Sequence, residues 1–126
     1  MVKRLIIATT IFLACLTLAV AQVVVPPVFA NIKSIAMSQS PDDNGYYIAK
    51  RNVVASGTQY WACYLPTHKI VAIVKIAQAS TVAIEYWEDY NRFALYQNGD
   101  RIEITVERAV ELANQILLEA NGMQSI

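Results

Sequence analysis

The chain is 126 residues long, 56% hydrophobic and only 16% charged, with ten basic and ten acidic residues that balance to zero. That length allows one small domain, and the lack of a basic excess excludes a general electrostatic attraction to nucleic acid. Two cysteines and a single histidine fall short of the ~four Cys or His ligands that zinc takes.

Lys3 and Arg4 give a short positive start, the stretch from Leu5 to Val20 carries no charge, and small residues follow. This three-part order is that of an export signal peptide. Two processing sites compete: Ala19-Val20-Ala21 ahead of Gln22, and Val28-Phe29-Ala30 ahead of Asn31. Pro26 and Pro27 favour the second, because they break a helix running on from the apolar stretch and leave the next residues extended for a protease. The expected organisation is therefore a signal peptide over residues 1–30, with cleavage after 21 as the alternative, and one α+β domain over 31–126. If retained, the stretch from Leu5 to Val25 is about as long as the ~20 apolar residues that span a bilayer, and an uncleaved leader would be the chain's membrane contact. Cys15 fits a lipidation site poorly, since the residues after it stay apolar where a tether should be polar. No Asn-x-Ser/Thr sequon occurs, so a periplasmic or secreted bacterial protein is the simpler expectation.

Asn31 to Gly45 reads as a polar opening with at most a short helix near Ile32–Met37, closing on the turn-forming run from Ser40 to Gly45. From Tyr46 onward the texture is β-branched and aromatic, broken by short turns, which predicts a meander of five or six strands. The runs are Tyr46–Ala55, Gln59–Leu65, Lys69–Ala77, Thr81–Trp87, Phe93–Gln97 and Arg101–Thr105. Within Lys69–Ala77 only Lys75 interrupts the apolar run, as expected of a central strand apolar on both faces. Asn98-Gly99 is a strong hairpin signal, because both positions of a type I′ turn need φ > 0. Residues 80–96 also place rings at helical spacing, but Thr81, Val82, Ile84, Tyr86 and Trp87 favour the strand. Thr105 then caps a helix in which Val106, Ala109, Val110, Leu112, Ala113, Ile116, Leu117 and Ala120 form one apolar stripe, ending at Asn121-Gly122. The fold class expected is α+β, an antiparallel meander with this amphipathic helix packed on one face.

Without its leader the chain keeps eight basic and ten acidic residues, a net charge of −2, and the charge is polarised: +3 from Asn31 to Ser80 and −5 from Thr81 onward. Two halves of one domain attracting each other account for this. Cys63 becomes the only thiol, so no internal disulfide can staple the exported domain.

Candidate chemistry is sparse. Cys63 and His68 are the only thiol–imidazole pair. In strand alternation Cys63 shares a face with Trp61 and Leu65, where it reads as a small core hydrophobe; an unpaired thiol can also join two chains into a homodimer. Asp42-Asp43-Asn44-Gly45 has the composition of a calcium loop without its spacing, so a turn is expected, with no metal and no cofactor. Glu85, Glu88 and Asp89 raise a carboxylate pair, of which Glu85 and Glu88 fall on opposite strand faces. The aromatic residues carry the main expectation: too many for one buried face, they place Tyr60, Tyr64, Tyr86 and Trp87 on an open sheet face. A non-catalytic module using such a face to bind another protein or an envelope component is the expected function. A small hydrolase or thiol enzyme using Cys63, or a membrane-tethered envelope protein, is the alternative.

Overall fold

A computed structural model describes residues 24–120; the leader as far as residue 23 and the Asn121-Gly122 helix stop lie outside the described residues. Six strands run in sequence order as one antiparallel sheet: β1 (Tyr47–Val53), β2 (Thr58–Leu65), β3 (Ile70–Ala77), β4 (Ser80–Trp87), β5 (Arg92–Gln97) and β6 (Asp100–Ile104). Helix α1 (Pro27–Met37) precedes them and α2 (Val106–Glu119) follows. The protein is thus an α+β meander with the C-terminal helix packed against the sheet, and residues 80–96 form a strand pair. Asn98 and Gly99 take φ of 50° and 99°, as a type I′ hairpin demands. The turn is anchored across the sheet, with Asn98 Oδ1 accepting the Thr81 N–H at 2.9 Å and the Asn98 N–H donating to the Thr81 carbonyl at 3.0 Å.

Register fixes which side chains share a face. Tyr64 stands opposite Val71, Val71 opposite Tyr86, Tyr86 opposite Phe93 and Phe93 opposite Ile104. The next row on the same face runs Ala49, Ala62, Ile73, Ile84, Leu95 and Ile102. This face lies under both helices. From α2, Ala109, Ala113, Ile116 and Leu117 are buried against it, as the apolar stripe predicts, while Val106 at the helix start is exposed. Thr105 caps α2 by accepting the Arg108 N–H at 3.2 Å.

Helix α1 departs from expectation. It runs for eleven residues from Pro27, so residues 27–30 are helical where the sequence suggests an extended stretch. Proline at the first helical position gives up an N–H that has no partner there in any case, and its fixed φ suits the helix; the Pro26 carbonyl meanwhile accepts the N–H groups of Phe29 (3.0 Å) and Ala30 (3.2 Å). Phe29 is fully buried, with its ring 5.6 Å from Tyr86 and 5.4 Å from Phe93, which stack on each other at 4.8 Å. Val28, Ile32, Ile35 and Ala36 complete the buried stripe of α1.

The polarised charge finds its use in two ties between the halves. Lys33 of α1 bonds Glu88 at 2.8 Å beyond the end of β4, and Lys75 of β3 bonds Glu119 at the end of α2. No helix among the described residues is long and apolar enough to cross a membrane.

Removing the Phe29 ring leaves a hole against Tyr86 and Phe93 that the sheet cannot close. The Phe29→Ala substitution is expected to cost about 3–5 kcal/mol in urea unfolding. A chain starting at Gln22 should unfold cooperatively, whereas one starting at Asn31, without Val28 and Phe29, should melt at a far lower temperature or not fold.

Candidate functional site

The two sheet faces have exchanged the roles expected of them. Tyr60 and Tyr86 are not on the open face: they are buried beneath the helices, 5% and 2% exposed. Tyr64 is half-buried on the same side, stacked on Tyr47 at 6.4 Å and covered by the Lys33 ammonium 4.3 Å from its ring centre. Their hydroxyls reach partners at the end of α2 and in the turn after β4: Tyr60 to Glu119, Tyr64 to Glu88 and Tyr86 to Asn91, each at 3.3 Å. A phenol ring with a satisfied polar tip is a stable core element, and this is how the sheet uses its tyrosines. Of the four residues expected to be open, Trp87 alone lies on the uncovered face.

Cys63 is displaced in the opposite sense. With Trp61 and Leu65 it points to the face that neither helix covers, yet it is only 6% exposed, because it stands in register between Ile48 and Ala72 with larger side chains around it. Burial pushes its thiol up to about 12, with the Lys50 charge pulling weakly the other way. A thiol nucleophile needs the thiolate near neutral pH; this environment holds the proton on. His68 lies in the turn after β2 and meets the edge of the Tyr46 ring at 6.3 Å.

The open face is read row by row. One row runs Lys50, Trp61, Val74, Ala83, Tyr96 and Arg101; the next runs Ile48, Cys63, Ala72, Glu85, Ala94 and Glu103. Leu65, Ile70, Trp87 and Arg92 follow. The centre is therefore aliphatic and small, and two tryptophans stand over it. Each indole is fixed by its N–H, Trp61 to Gln59 and Trp87 to Glu85, both at 3.0 Å. Trp61 also carries the Lys50 ammonium 4.4 Å from its ring centre.

Glu85 is the polar centre of this face and is itself buried. Arg101 grips it through two bonds, Nε to Oε1 at 2.8 Å and Nη2 to Oε2 at 3.0 Å, and the paired carboxylate holds the Arg101 guanidinium above its ordinary pKa. Beside the pair a depression of about 290 Å³ is walled by Trp87 and Tyr90, floored by Ala94 and rimmed by Arg92, Arg101 and Glu103. Glu88, by contrast, faces the helices and Lys33, so the two carboxylates cannot act on one substrate. At Asp42 the carboxylate builds the turn, accepting the N–H groups of Asn44 (2.8 Å) and Tyr46 (3.0 Å). Among the described residues no three His, Cys, Asp or Glu side chains gather as metal ligands.

Comparison of the chain with protein-family models, with curated proteins and with solved structures gives no match.

The pH dependence of stability follows from the buried thiol. Its folded pKa is raised from the ordinary 9.0 to about 12, so above pH 9 the native chain holds a proton that the unfolded chain releases, and stability falls through that interval. Tyr60 and Tyr86, raised chiefly by burial, and Lys33 and Lys75, raised chiefly by their bonds to Glu88 and Glu119, act in the same direction from about pH 10. Urea unfolding across the alkaline range should show stability declining from about pH 9 in the native chain and only from about pH 10 in Cys63→Ala. Thiol reagents should label Cys63 at the rate of global unfolding.

Proposed function

We propose that this chain is an exported, non-catalytic interaction module that engages another protein or envelope component through the open face of its sheet. The observation that carries this is the partly exposed apolar centre formed by Ile70, Val74 and Ile76, flanked by Trp61 and Trp87, which no described helix or loop covers. Surfaces of this composition mark sites of association, because leaving them in water is unfavourable and rigid indoles bind with little loss of rotamer freedom. The buried, protonated Cys63 favours a binding role over thiol chemistry.

Export follows from the leader in the sequence, and the burial of Phe29 favours processing after Ala21 over processing after Ala30. The mature N-terminus, read by mass spectrometry of the exported protein, should be Gln22; retention of the leader would mark a tethered envelope protein instead.

The surface itself is tested by paired substitutions. Trp61→Ser and Trp87→Ser should each change folding stability by about 1 kcal/mol or less and together abolish association, whereas Tyr60→Ala and Tyr86→Ala should cost several times as much through lost core packing. Unchanged association in the double tryptophan variant, read both as self-association and as the set of co-purifying proteins, would rule the surface out.

A further inference from the structure

We infer that the occupant of the open face is a second copy of this chain, packed sheet against sheet as a two-fold symmetric dimer; this rests on that face being the interaction surface. Three observations single out a second copy.

The first is size. The six strands average seven residues, from eight in β2, β3 and β4 to five in β6, so the face is about 23 Å long and 24 Å wide, roughly 550 Å² in projection. Two such faces packed over their whole extent cover about 1,100 Å², just above the ~1,000 Å² that a specific protein interface needs.

The second is charge. The ionised groups set within this face are already partnered there: Glu85 with Arg101, Arg92 with Glu103 at 3.7 Å, and Lys50 over Trp61. With three cations against two anions the face keeps a single excess positive charge, so it calls for no strongly charged partner, and two copies of it meet without a large like-charge penalty. An anionic lipid surface or a strongly charged protein would be met by a sheet with a large excess of one sign.

The third is relief. A symmetric interface is self-complementary, so one patch must supply both projections and recesses. Trp61, Leu65 and Ile70 project on either side of the small pair Cys63 and Ala72, and Ala94 floors the depression beside Trp87. Aligned packing of two sheets about 10 Å apart is the geometry by which such faces interdigitate. The contact is non-covalent, since the thiol is buried and protonated.

Sedimentation velocity of the exported chain over the micromolar range should give a dimer. Val74→Glu, which leaves an unpaired carboxylate in the centre of the contact, should weaken it by roughly 100-fold. Trp61→Ser, milder for the fold, should weaken it in the same direction, and Leu118→Glu on the exposed face of α2 should leave it intact. A monomer at every concentration, or a dimer broken by Leu118→Glu and not by the open-face variants, would overturn the inference. A photo-reactive benzoylphenylalanine at position 74, installed in the producing cells, separates this inference from the function on which it rests. An adduct of twice the chain mass supports the dimer. An adduct with a different protein overturns the dimer and keeps the surface, and no adduct overturns both.

Discussion

Phe29 sits between helix and sheet with no exposed surface, against a Tyr86–Phe93 stack that belongs to two adjacent strands. Because side chains alternate along a strand, fixing Tyr86 and Phe93 under a helix fixes every other residue of β4 and β5 on the same side. Cross-strand register then carries the choice through Val71 to Tyr64 and Tyr47, and through Ile104 to the start of α2. Once the N-terminal helix is set on this aromatic pair, the identity of the covered face is decided for the whole sheet. The opposite parity, with its tryptophans, its thiol and its Glu85–Arg101 pair, is left outside.

Covering one face leaves a structural problem at β3, whose Ile70, Val74 and Ile76 have no helix over them. The sheet answers part of it internally. The two indoles lie against polar neighbours, and Arg101 neutralises a carboxylate that would otherwise be costly to bury. Cys63 and Ala72 sink below their larger neighbours. These contacts organise the face without covering it, so its aliphatic centre still favours removal from water. Side chains already held by such contacts lose little entropy on association.

Most of the fold was legible because it rests on local rules. Turn chemistry at Asn98-Gly99, the Thr105 cap and the α2 stripe each acts within a few residues, and the strand limits follow from such signals. The exchange of faces was not legible from β2 alone, since Tyr60 and Tyr64 alternate with Trp61 and Cys63 and either set is apolar enough for a core. The deciding signal lay in β4, where Val82, Ile84 and Tyr86 form an unbroken apolar parity while Thr81 and Glu85 mark the other. Carrying that parity back to Tyr64 requires the register across the turns, in which Leu65 pairs with Ile70 and Ala77 with Ser80; composition does not encode it. The missed residues of the open face, Ile70 and Val74 above all, were announced by a central strand apolar on both sides.

The same logic explains why the first turn of α1 is ambiguous in the sequence. A Pro-Pro pair stops a helix that arrives from its N-terminal side and starts one that leaves on its C-terminal side, and the sequence around residues 26–30 permits both descriptions. Burial distinguishes them, because Val28 and Phe29 contribute to the domain core only if they remain in the chain. A leader ending after Ala30 would remove the ring on which the sheet's choice of face depends.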